Sequence, residues 1–201
     1  MDSTATTTLS PLSLPRRRGF TLVEVLIATS LSAIVMAGVL SSVLMLSRSG
    51  YLLNNYIDME NQARTSMETI AVDVRMAKDI VWTRASDTSA PTGFTLKDIS
   101  GNLISTYSYN SSAGTLTRTK DTASVLITGI QSLTFSAYKY SSTGPELMDP
   151  TSPSYPIDTM NNLTKMVQVS LSSKRSRTTL VDATNNVVSA RYVLRNKSQT
   201  N

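Results

Sequence analysis

The chain has 201 residues, enough for one modest domain with an appendage, and it contains neither His nor Cys. That removes histidine general bases, thiol nucleophiles, disulfides and Cys/His metal sites, so an enzyme would have only carboxylate, hydroxyl and lysine chemistry to work with. The net charge of +5 falls to +3 once residues 1–19, with Arg16, Arg17, Arg18 and Asp2, are set aside, which is too weak and scattered for the basic face that nucleic-acid binding needs.

The first element is apolar. Between Phe20 and Ser47 the chain carries one charge, Glu24, and the run is bounded by Arg18 on one side and Arg48 on the other. Those 28 residues, as an α-helix, reach roughly 42 Å, longer than the roughly 30 Å of a bilayer core. The basic cluster ahead of it predicts that the N-terminal end stays cytoplasmic while the bulk of the chain is exported, with lipid around the helix. An ionised carboxylate within a membrane span costs roughly 3 kcal/mol even on mild insertion scales, so Glu24 is expected to have a partner. Three readings compete: a secretory signal peptide over residues 1–37 with Val35-Met36-Ala37 before the cut, an uncleaved signal anchor holding an unrelated periplasmic enzyme or binding module, or a cut at Gly19/Phe20 that leaves the apolar helix on the mature chain.

The string Arg16-Arg17-Arg18-Gly19-Phe20-Thr21-Leu22-Val23-Glu24-Val25-Leu26-Ile27-Ala28 resembles the prepilin processing motif of type IV pilins and type II secretion pseudopilins: basic leader, Gly at the last leader position, Phe at the first mature position, Glu at the fifth. The resemblance implies a cleaved leader over residues 1–19, cutting between Gly19 and Phe20 by a prepilin peptidase, and N-methylation of Phe20. It also implies an inner-membrane assembly platform and sibling major and minor subunits as partners. Physically, the cut liberates a cationic amine one helical turn from Glu24, about 6 Å along the axis. A carboxylate on one protomer can then neutralise the amine of its neighbour. Small residues along the run, among them Ala28, Ser32, Ala33 and Gly38, let apolar helices approach closely.

Beyond Gly50, Met59, Ala63, Met67, Ile70 or Ala71, Val74, Ala77 and Val81 recur every three or four positions, an amphipathic stripe with Glu60, Arg64 and Glu68 on its wetter side. If Gly50 only loosens the helix, residues 20–81 form one rod, membrane-spanning or filament-core over 20–47 and amphipathic thereafter. The stretch Gln62-Ala63-Arg64, Met67, Ile70-Ala71, Asp73-Val74-Arg75 and Ala77 is similar to J-type pseudopilins and the related W-type minor pilins.

After Trp82, short Thr-, Val- and Tyr-rich runs separated by Gly, Asn and Asp predict strands near 93–98, 103–109, 114–120, 124–128, 131–140, 165–172 and 189–195. Turns are signalled at Ser100-Gly101-Asn102 and Ser112-Ala113-Gly114. Residues 141–163, with four prolines, are expected to be a long surface loop contacting a partner. The segments 165–171 and 192–196 again resemble the closing strands of J-type or W-type subunits. The expected fold is therefore α+β and pilin-like, a long N-terminal helix packed on an antiparallel sheet, with residues 48–201 forming the exported part.

Other chemistry reads as structural. Asp149 and Asp158 lack the spacing of a calcium loop, so neither a metal nor a cofactor is expected. Ser172, Ser173 and Lys174 alternate across a strand and cannot converge as a nucleophile and base. Trp82, Tyr107, Tyr109, Tyr138 and Tyr140 are spaced to pack across strands. The resemblance implies a filament subunit, preferably a J-type minor pseudopilin near the filament tip, rather than an enzyme.

Overall fold

The computed structural model describes residues 19–175 and 184–197. The chain divides into two compact units, Met1–Arg48 and Ser49–Asn201, and a single helix, α1 (Leu22–Met76), contributes to both. Helix α1 is unbroken at Gly50.

In the second unit, Met59, Ala63, Met67, Ile70 and Val74 of α1 are buried, together with Ser66 and Asp73 on the same side. Ile70, not Ala71, takes the inward position. Glu60, Arg64 and Glu68 face solvent, and Arg64 Nε lies 3.2 Å from Glu68 Oε1 one turn on. The expected extension of the stripe to Val81 does not hold. The last helical turn closes with Ala77 N donating to Asp73 O, after which Lys78 N donates to Lys97 O and the chain becomes β1 (Asp79–Thr83). There Ile80 and Trp82 are buried and Val81 faces out, the period-two alternation of a strand whose β-branched and aromatic residues favour that geometry.

Strands β1, β2 (Gly93–Lys97), β3 (Leu103–Asn110), β4 (Thr115–Thr119) and β5 (Ala123–Thr128) form an antiparallel meander in chain order. Two glycines are required here. A Cβ on Gly93 would lie 2.3 Å from Tyr107 O on the neighbouring strand, and Gly114 combines φ +60° with a Cβ position 2.8 Å from Ile130 O. The second sheet contains β6 (Ile130–Ser141), β7 (Gly144–Met148), β8 (Met166–Arg175) and β9 (Thr184–Val193) in the order β7-β6-β8-β9. The expected sheet is thus two sheets, separated at Gly129, whose φ of +73° turns the chain between β5 and β6.

The segment 141–163 is not the loop expected of it. Gly144, with φ +115°, permits a tight hairpin into β7, and Pro145 is tolerated because β7 is an edge strand with no neighbour needing its missing N–H. Pro156 then accepts from Met160 N at the start of a short helix, α2 (Ile157–Leu163), which places Met160 in the core. Asn161 Oδ1 accepts from Trp82 N at 2.7 Å and Thr164 Oγ1 from Trp82 Nε1 at 2.9 Å, so this segment closes the free edge of β1. The core is aromatic at its centre: Phe94 meets Trp82 at 5.5 Å, Tyr107 at 5.0 Å and, from the other sheet, Phe135 at 5.3 Å. Of the aromatics expected to pack across strands, Tyr140 instead stands exposed.

Candidate functional site

The N-terminal unit is built from Thr21 onward. Val25 N donates to Thr21 O, the first helical bond, while Glu24 N donates to Thr21 Oγ1 at 3.2 Å and Thr21 N reaches Glu24 Oε2 at 3.5 Å. This reciprocal pair is a capping box, in which a Thr and a Glu three positions on satisfy each other's unpaired amides. Helix α1 therefore starts at Leu22 because of its sequence, and Glu24 sits in the first turn, where the helix dipole favours a carboxylate. The role of Thr21 went unread in the sequence, although Thr-x-x-Glu ahead of an apolar run is its signature.

The cap supplies a local reason for Glu24, and magnitudes decide whether it suffices. A cap contributes about 1 kcal/mol, against a cost that reaches roughly 3 kcal/mol for a carboxylate at the centre of a membrane span. The cap alone does not cover the cost at that depth. Glu24 shares a helix face with Phe20, Ala28, Ser32 and Met36, and this face is open. Phe20 is 82% exposed and Gly19 has nothing within 4 Å of where a Cβ would stand, so no contact inside the described chain demands glycine there. Arg16, Arg17 and Arg18 lie outside the described residues.

From Phe20 to Leu46 the large apolar side chains are exposed throughout, far more hydrocarbon than a water-facing surface carries. Three hydroxyls in this stretch bond to carbonyls of the helix itself: Thr29 donates to Val25 O and Leu26 O, Ser30 to Ile27 O and Ser42 to Gly38 O. That is the behaviour needed where water cannot serve as partner.

In the second unit a buried polar cluster surrounds Asp73. Its Oδ2 accepts from Ser105 Oγ at 2.7 Å, Tyr107 OH at 2.6 Å and Arg118 Nε at 2.8 Å, and Oδ1 accepts from Arg118 Nη2 at 3.1 Å. Burial by itself would raise the carboxyl, but the bonds from Arg118, Tyr107 and Ser105 and the charge of Arg118 outweigh it and hold Asp73 below its ordinary value. Burial, reinforced by the adjacent carboxylate, pushes the Tyr107 phenol up. Such a group is locked in its ionised form, not poised to exchange protons, and it fastens α1 to β3 and β4. Sequence reasoning placed Asp73 only within a family resemblance; the available signal was an acid on the buried side of an amphipathic stripe.

The other candidate groups weighed for chemistry do not converge among the described residues. Ser173 is buried and Lys174 exposed on opposite faces of β8, and Asp149 caps its own turn by accepting from Thr151 N and Oγ1. Among the described residues, no group of three or more Asp or Glu side chains is arranged to hold a metal ion.

Residues 14–40 match the family model described as the prokaryotic N-terminal methylation motif. No curated protein matches the chain. The motif, the long apolar helix and the antiparallel sheets that follow make an α+β, type IV pilin-like architecture, which includes the pseudopilins. Among the described residues one helix, near the N-terminus, is apolar enough to span, and with this motif it fits a single-pass inner-membrane anchor with the C-terminal part exported. The motif implies processing by a prepilin peptidase and assembly with other pilins, and it points to a structural subunit in place of an enzyme.

Proposed function

We propose that this chain is the precursor of a minor pilin or pseudopilin, cut between Gly19 and Phe20, methylated on the new amine of Phe20, and drawn from the inner membrane into a type II secretion or type IV pilus filament. Arg16, Arg17 and Arg18 hold the leader on the cytoplasmic side until the cut. Glu24 then pairs with the amine of a neighbouring protomer, which sets the axial register of one helix on the next. The residues that follow the apolar helix, 48–201, contact sibling subunits. A J-type pseudopilin at the filament tip is the preferred assignment, and a W-type minor pilin the alternative within the same family.

The observation that supports this reading most is Glu24, one turn from Phe20 on an open face of an apolar helix, with only a capping contact among the described residues. Mass spectrometry of the mature protein tests it. A chain beginning at a methylated Phe20 is the expected result, and Gly19→Val should accumulate the uncut, larger species. An intact leader on the wild-type chain would point to a plain signal anchor, and a start at Gly38 to ordinary secretion.

A further inference from the structure

The outward face of the second sheet carries a cation that is held in position without a counterion among the described residues. Arg191 of β9 donates from Nε and Nη2 to Gln168 Oε1 on β8, at 3.1 and 2.8 Å, and its guanidinium lies 4.1 Å from the ring centroid of Tyr138 on β6. Tyr138 OH donates to the same Gln168 oxygen at 3.1 Å. The other end of that amide is held too, since Gln168 Nε2 donates to Ser170 and Ser189 hydroxyls at 3.2 and 3.1 Å. Three strands thus hold one guanidinium over an aromatic ring. Yet Arg191 is exposed and has no carboxylate partner among the described residues. Val187 and Val193, at even spacing from it on the same face of β9, are 75% and 45% exposed.

From this we infer that Arg191 anchors the outer face of the second sheet to a carboxylate on another subunit of the filament. The inference rests on the filament reading only for the identity of the partner. Immobilising an arginine costs rotamer freedom, and here folding has already imposed most of that loss, so a planar acceptor meets a fork in place. Arginine and tyrosine flanked by apolar side chains are the composition of a binding hot spot. Charge number selects a carboxylate over a polyphosphate. Nucleic-acid affinity comes from several cations acting on successive phosphates, whereas among the described residues of β6 to β9 the other cation on this face, Lys174, stands six positions along β8 from Gln168, roughly 20 Å away.

The test uses the full-length chain in the cells that make it, with a photoreactive amino acid at Val193 or, separately, at Val187. The expected adduct is with a sibling subunit, through a peptide containing Asp or Glu. Arg191→Glu should lower the adduct yield about tenfold, Arg191→Gln less, and changing the partner's acid to Lys should restore the adduct to the Arg191→Glu chain. An adduct indifferent to all Arg191 changes overturns the inference, as does its absence or its release by nuclease. Processing at Phe20 is read in the same samples. A correctly processed chain with no charge-dependent adduct defeats this inference and leaves the filament reading standing, whereas an unprocessed wild-type chain defeats the latter.

Discussion

Replacing Asp73 by Ala removes the acceptor of four hydrogen bonds and the counterion of Arg118. Breaking a buried ion pair by deleting one partner costs about 3–5 kcal/mol, because the other charge stays behind. The Arg118 side chain is 22% exposed and recovers part of its hydration, while Tyr107 and Ser105 are fully buried and do not, each losing a bond in the range of about 1–3 kcal/mol. These terms overlap, and a loss of about 4 kcal/mol is expected, a large share of a stability of about 5–15 kcal/mol. Trp82, the one tryptophan of the chain, lies in the core of the same unit, so its fluorescence in detergent-solubilised full-length protein reports unfolding in urea. With a slope of about 2 kcal/mol per molar, the midpoint should fall by about 2 M with the slope unchanged. Asp73→Asn, which keeps shape and one acceptor, should fall between the two. The pH dependence has a definite sign. Because the folded carboxyl titrates below the ordinary 3.8, its contribution is present above that pH and is lost as the pH falls through the lower folded value. The gap between wild type and Asp73→Ala should therefore be constant from pH 5 to 7 and narrow below about pH 4. A midpoint shift under about 0.5 M at neutral pH would refute the reasoning.

Two other changes bear on different links. Gly93→Ala drives a methyl to 2.3 Å from a backbone oxygen that belongs to a paired strand and cannot swing away, so a loss of more than about 2 kcal/mol in the same urea assay is expected; a neutral result would mean β2 and β3 can separate there. Glu24→Ala removes a cap worth about 1 kcal/mol but should still be cut after Gly19, and fractionation of sheared filaments should find it in the membrane and absent from fibres. Its normal recruitment in cells lacking the wild-type copy would eliminate the pairing role.

What could be read in advance followed physical contrast. Glu24 stands out because 27 uncharged residues surround it, and the α1 stripe because burial repeats with the helical period. Hairpins at Gly101 and Gly114 were legible since each has φ above +60° or at it, a conformation glycine adopts without strain. The missed elements are those in which a local signal says one thing and the tertiary structure another. Four prolines announce a loop at 141–163, yet Pro145 falls on an edge and Pro156 at a helix start, the places where proline interrupts nothing. Ala77 and Val81 keep the helical spacing beyond the end of α1, while the pairing of Lys78 with Lys97 comes from 19 residues further on. The Asp73 cluster joins residues 32 to 45 apart on three elements, and the Arg191 platform joins three strands. No window of sequence contains either. The division into two sheets depends on β6 choosing β8 over β5, again a long-range decision.

The measurement that bears most directly on the account is a filament map resolving side chains at the N-terminal end of α1. It should show the Glu24 carboxylate within hydrogen-bond distance of the methylated amine of an adjacent protomer. Finding Glu24 bound only to Thr21 of its own chain, with the amine solvated elsewhere, would contradict it.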